Sequence, residues 1–251
     1  MRLPALPPWR VKLTGGLAVS HGARRWDGPQ VGSRLGRILL ALLAVENRRL
    51  TPVGQIVETL WPEEPPRLPA ANVATLVSRL RARFGADLIV GGGHGYRVGD
   101  HVGSDLNAAR ELVGAAEAGL TDQAFGSAQG LADEALDLLR DEALPELGDE
   151  TWVVAVRGQR RSLLQRARHA AAAAALHTGD AWSAISLAEK AIAAEPYDET
   201  AYRNLMQAFE SVGESAQALL AYERLRRALV RDLGVDPAPP TRAAYLAILR
   251  S

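Results

Sequence analysis

Apolar positions along the chain fall into two regimes. Between Trp9 and Ser20 they alternate with polar ones, predicting short strands over Trp9 to Thr14 and Leu17 to Ser20, with Gly15-Gly16 as the turn and a third strand through Arg24 to Trp26. From Arg34 the spacing becomes helical. Leu35, Ile38, Leu39, Leu42 and Leu43 predict a helix over Arg34 to Val45. Thr51-Pro52, read as N-cap and first-turn proline, opens a second over Val53 to Leu60, which Trp61-Pro62 closes. The proline-rich stretch Glu63 to Leu68 cannot be helical. In Pro69 to Phe84 the residues Val73, Leu76, Val77, Leu80 and Phe84 fall at i, i+3, i+4, i+7 and i+11, one apolar stripe. Strand-like runs at Leu88 to Val90 and Tyr96 to Val98 flank the turn Gly91 to Gly95. Strands, three helices and a hairpin are the order of an α+β winged helix.

Beyond residue 104 every segment reads as helix: Asp105 to Ala118, Asp122 to Leu139, Trp152 to Leu176, Trp182 to Ala194, Glu199 to Val212, Ser215 to Leu233 and Thr241 to Leu249. A repeat runs through them. Gly179, Ala184, Ala188 and Ala191 recur 34 residues on as Gly213, Ala218, Tyr222 and Leu225, and Ala171 and Ala175 answer to Leu205 and Phe209. That period, with small residues where paired helices approach, is the signature of tetratricopeptide-like helix pairs. The pair over Asp105 to Leu139 is off this grid, so one irregular unit is expected. Tyr202, Phe209, Tyr222 and Trp182 are expected in the core. The organisation expected is therefore a winged helix over residues 1–103 followed by an all-α tetratricopeptide-like domain over residues 104–251.

Charge divides the chain the same way. Residues 1–104 carry 14 Arg and Lys against 7 Asp and Glu, whereas residues 105–251 carry 15 against 22, so a net charge of zero hides halves of +7 and −7. A basic half beside an acidic one indicates that one domain faces a polyanion and the other does not. The sign changes near Gly99 to Ser104, read as a connection.

The helix over Pro69 to Phe84 carries the candidate chemistry. Opposite its apolar stripe lie Ala71, Thr75, Ser78, Arg79 and Ala82, with Asn72 and Arg83 on one flank and Arg81 on the other. Small residues permit close approach to a surface, and Arg and Asn match guanine and adenine edges bidentately. Taken alone, the helix reads first as an amphipathic one with a solvated basic face. Three arginines at Arg79, Arg81 and Arg83, in a domain of net +7 and just before a glycine-rich hairpin, favour phosphate and base contacts.

Enzyme chemistry finds no support in the spacing. There are no cysteines, and the five histidines, His21, His94, His101, His169 and His177, do not cluster with carboxylates as metal ligands do. Gly91 to Gly95 fits neither G-x-G-x-x-G nor a P-loop, and no G-x-S-x-G occurs. No catalytic residue, cofactor or metal is expected. The run Ile38 to Val45 is too short for a membrane span, so a cytoplasmic protein is expected.

Several motifs together carry a family resemblance. Arg34-Leu-Gly-Arg-Ile-Leu-Leu-Ala, Leu60-Trp61-Pro62-Glu-Glu-Pro-Pro66, Ala71-Asn72-Val73 running into Val77-Ser78-Arg79-Leu80-Arg81, and Gly95-Tyr96-Arg97-Val98 resemble the OmpR-type winged helix of the Streptomyces antibiotic regulatory protein (SARP) family. Leu136-Asp-Leu-Leu139, Ala201-Tyr202 through Leu205-Met206-Gln207-Ala208, Gly213-Glu214, Tyr222 with Arg226, and Leu233-Gly234-Val235-Asp236-Pro237 resemble its helical partner, the bacterial transcriptional activator domain. The resemblance implies a sequence-specific DNA-binding transcriptional activator of a secondary-metabolite gene cluster, acting on direct repeats in promoter DNA and on RNA polymerase holoenzyme. It implies Asn72, Thr75, Ser78, Arg79 and Arg81 as base or phosphate contacts, with Arg83 beside them, and Arg97 on the wing near the minor groove. It also implies that the loop with Glu63, Glu64 and Arg67 turns toward polymerase, and that the helical domain serves homodimerisation or docking. Where the family more often has Lys-Ala this chain has Leu35-Gly36; Arg34 and Arg37 are placed to supply the missing phosphate contact. The alternative is a protein-interaction module whose winged helix does not read DNA.

Overall fold

The computed structural model describes residues 9–250. They form two compact units, one comprising the described residues up to Arg110 with Leu138–Arg161, the other Glu111–Asp137 with the described residues from Ser162 onward.

In the first unit the chain runs β1 (Trp9–Lys12), β2 (Ala18–His21), β3 (Arg24–Asp27), α1 (Arg34–Val45), β4 (Thr51–Pro52), α2 (Val53–Leu60), α3 (Pro69–Phe84), β5 (Ile89–Gly92), β6 (Gly95–Val98), β7 (Val102–Ser104) and the start of α4 (Asp105–Thr121). Two sheets form, ordered β3-β2-β1-β7 and β4-β6-β5. The three helices follow the apolar spacing to the residue. Two expectations need correction. Residues 102–104, read as a connection, form β7, which pairs in parallel with β1 through Trp9 and Val102. Thr51 does not cap α2: Pro52 holds that position, and Thr51 is buried in β4 opposite Tyr96. A two-residue strand has too short an apolar pattern to be seen in sequence.

Leu138–Arg161 completes this unit. Leu144 donates its N–H to the Leu13 carbonyl at 2.8 Å, Gly15 donates to the Glu142 carbonyl at 2.7 Å, and the Leu17 N–H reaches Glu146 Oε1 at 2.7 Å. Glycine suits this position: its φ is +68°, and an added Cβ would stand 2.6 Å from Oδ2 of the exposed Asp141, which would have to turn away. From α6 (Thr151–Thr178), Arg157 and Arg160 satisfy carbonyls of this segment, Arg160 at Leu139 and Arg140.

The second unit holds most of α4, α5 (Phe125–Leu138), the later part of α6, α7 (Ala181–Ala194), α8 (Glu199–Ser211), α9 (Ser215–Leu233) and α10 (Pro239–Ile248). The 34-residue correspondence is physical. Gly179 and Gly213 both take positive φ, +88° and +80°, where each ends a helix, and Ala184 and Ala218 are both fully buried. Tyr202 and Tyr222 enter one core with Leu205, Met206 and Leu225, and Phe209 packs against it. Trp182 does not: it is 68% exposed, because the buried stripe of α7 runs through Ala181, Ala184, Ile185 and Ala188 and leaves position 182 outside. His169 and His177, unassigned by spacing, have structural partners. His169 Nε2 lies 2.6 Å from Asp198 Oδ2, and His177 stacks on Phe125.

Candidate nucleic-acid interface

The interface follows from how α3 is seated. Its stripe Val73, Leu76, Val77, Leu80 and Phe84 is buried in full, and burying five such side chains stabilises by roughly 1.5 to 3 kcal/mol each relative to exposure. At the far end Phe84 meets Trp9 and Trp26 edge-on, with ring centroids 5.9 and 5.3 Å apart. This anchoring fixes the rotation of the helix. A rotation fixed on one side determines what the other side shows.

What it shows is a ridge of Ala71, Thr75, Ser78 and Ala82, all exposed. Along the flank facing the N-terminus of α1 run Asn72, Arg79 and Arg83, also exposed, and Arg79 makes no hydrogen bond or ion pair among the described residues. Two adjoining clefts separate this flank from α1. One is lined by Gly32, Ser33, Gly36, Arg79 and Arg83, the other by Ser33, Arg34, Trp61, Asn72, Thr75 and Arg79. Arg79 therefore stands between them. The Thr75 hydroxyl donates to the Ala71 carbonyl at 2.9 Å and the Asn72 amide to the Leu68 carbonyl at 3.2 Å, which leaves each side-chain oxygen open as an acceptor.

The remaining candidates are placed differently. Arg34 is 69% exposed and only 3.7 Å from Glu150 Oε1, a surface pair of little strength. Arg37 is half-buried and donates to the Gly32 carbonyl at 2.9 Å, holding the loop that enters α1. Ser33 caps that helix by accepting the Gly36 N–H. On the wing, Arg97 donates to Asp100 Oδ1 at 2.7 Å, and this guanidinium holds the Asp100 carboxyl below its ordinary range. Arg81 departs most from expectation. It is half-buried and faces the hairpin, with Nε 2.8 Å from the Ile89 carbonyl and a terminal nitrogen 3.0 Å from that of Gly91. Glu63, Glu64 and Arg67 are exposed in the loop before α3. Among the described residues no group of three or more His, Asp or Glu side chains is arranged to hold a metal, and no helix is long and apolar enough to cross a membrane.

Comparison with known proteins adds to this geometry. Residues 104–249 match the family described as the bacterial transcriptional activator domain. The transcriptional regulatory protein MoaR1 of Mycobacterium tuberculosis (strain ATCC 25618 / H37Rv) is 32% identical over 236 residues, covering 88% of this chain and 73% of MoaR1. The regulatory protein AfsR of Streptomyces coelicolor is 34% identical over 236 residues, covering 91% of this chain but only 23% of AfsR. A solved structure of Mycobacterium tuberculosis EmbR, in complex with a low-affinity phosphopeptide, superposes with a TM-score of 0.86 at 26% identity, covering 97% of this chain and 65% of EmbR. The chain thus accounts for most of one relative and for a fraction of another. With an exposed basic helix face on α3 and an activator-domain match over residues 104–249, the chain belongs to the SARP family of bacterial transcriptional regulators.

Proposed function

We propose that the chain is a sequence-specific DNA-binding activator in which α3 enters the major groove. Thr75 and Ser78 on the ridge, with Asn72 and Arg79 beside it, read base edges; Arg34, Arg37 and Arg83 hold flanking phosphates, and Arg97 lies toward the minor groove beside the wing. The observation that carries this reading is the free Arg79 guanidinium, exposed between two clefts on a helix whose opposite side is wholly buried. The partners are double-stranded promoter DNA carrying direct repeats and RNA polymerase holoenzyme, the latter met by Glu63, Glu64 and Arg67. Residues 1–103 form the reading domain and residues 104–251 the activator domain, through which two copies associate. The regulated genes belong to a secondary-metabolite cluster, and the protein acts in the cytoplasm without a cofactor or catalytic step.

The test is a titration of the full chain against duplex DNA from the region upstream of its own coding sequence, over a salt series. The reading expects log affinity to fall linearly with log salt, with a slope of about −3.6 to −5.4 for roughly four to six phosphate contacts. A flat dependence contradicts it.

A further inference from the structure

We propose that Arg81 is a positioning residue: it fixes the wing against the reading helix and touches no DNA, an inference that rests on the DNA-binding reading above. Among the described residues, β5 is an edge strand of the β4-β6-β5 sheet, paired only through β6. An edge strand leaves carbonyls unpaired on its open side. Arg81, in the last turn of α3, supplies donors to two carbonyls of that strand, Nε to Ile89 at 2.8 Å and a terminal nitrogen to Gly91 at 3.0 Å. The guanidinium also lies 5.8 Å from the centre of the buried Tyr96 ring on β6. One side chain thus joins the helix to both strands of the hairpin.

The point of attachment matters. Gly91 takes φ +116°, and an added Cβ there would come within 2.3 Å of the Gly95 carbonyl, so the two strands close tightly at the residue that Arg81 grips, just before the Gly93-His94 turn. Beyond it stand only Gly92, Gly93 and His94 before the return strand. A turn so rich in glycine has little stiffness of its own. Its direction is set by what holds its base, and two charge-assisted hydrogen bonds hold it. Lysine, with a single ammonium in place of a fork, cannot reproduce both.

The experiment uses the full chain, wild type and Arg81→Ala and Arg81→Lys variants, on duplexes selected by the wild type from a random pool. Affinity over a salt series and hydroxyl-radical protection of the minor groove are both read. The proposal expects Arg81→Ala to bind about tenfold more weakly, with base preferences unchanged and protection beside the major-groove site lost; Arg81→Lys falls between. A slope shallower by about one with protection intact marks a phosphate contact and overturns it, as does a relaxed base position. Should wild type select no DNA, the DNA-binding reading fails first, and Arg81 is judged in the free protein by its Nε–H resonance. Slow hydrogen exchange there, with faster exchange at wing amides in Arg81→Ala, upholds the brace; rapid exchange of the wild-type Nε–H overturns it.

Discussion

The carboxylate of Asp105 accepts the backbone N–H of Leu13 at 2.9 Å, across 92 residues of chain. It also accepts from the N–H and hydroxyl of Thr14 at 2.9 and 2.7 Å and from the Leu106 N–H. The three backbone partners can only donate. Asp105→Asn keeps the shape but turns an NH2 toward N–H groups. It is expected to cost about 2 to 4 kcal/mol, seen as a lower urea midpoint by tryptophan fluorescence; an unchanged midpoint would remove this carboxylate as the clasp of the first unit.

A second expectation concerns Gly15. Alanine there meets both the left-handed backbone and the Asp141 carboxylate, whereas alanine at Gly22, φ +57° with nothing within 4 Å, meets the backbone alone. Gly22→Ala should cost about 1 kcal/mol and Gly15→Ala about 1 to 2 kcal/mol, the excess being the cost of displacing the Asp141 carboxylate. Thermal unfolding of the two variants side by side measures the difference. Equal costs would mean that residues 138–147 do not hold this turn.

Acid sensitivity should trace to Asp198. Burial works to raise its pKa, but hydrogen bonds from His169, Gln165 and the Ala201 N–H outweigh it and hold the value at about 2, against an ordinary 3.8. A carboxylate with a depressed folded value stabilises fully above its unfolded value, and that contribution is lost as pH falls through 3.8 toward about 2. Wild type should therefore lose stability over that window more steeply than Asp198→Asn, which lacks the ionisation. Denaturation series at pH 6, 4 and 2.5 compare them, and parallel pH profiles would refute the assignment.

Where pattern was long, the sequence was legible. The stripe of α3 spans about three turns, and its buried positions and exposed ridge both follow from helical spacing, as do Gly179 and Gly213 in the repeat. Short or distant relationships left no trace. β4 is two residues long, β7 pairs with a strand more than ninety residues earlier, and the return of residues 138–161 to the first unit rests on backbone hydrogen bonds and on Glu146, Arg157 and Arg160, whose partners follow no periodic spacing. Within the candidate interface, spacing put Arg81 on the flank opposite Asn72 and Arg83, as found. It could not say that an edge strand lies on that flank, because the reach of an arginine to a carbonyl is a tertiary fact.

The free guanidinium of Arg79 is the point on which DNA reading depends. Arg79→Ala should cost about 1 to 3 kcal/mol on the selected duplex and relax one base position, while Arg83→Ala weakens all sequences alike. The decisive measurement is the affinity of Arg79→Ala for the selected duplex and for a scrambled one at a single salt concentration. Loss confined to the selected duplex is the predicted result; equal loss on both contradicts base reading by this helix.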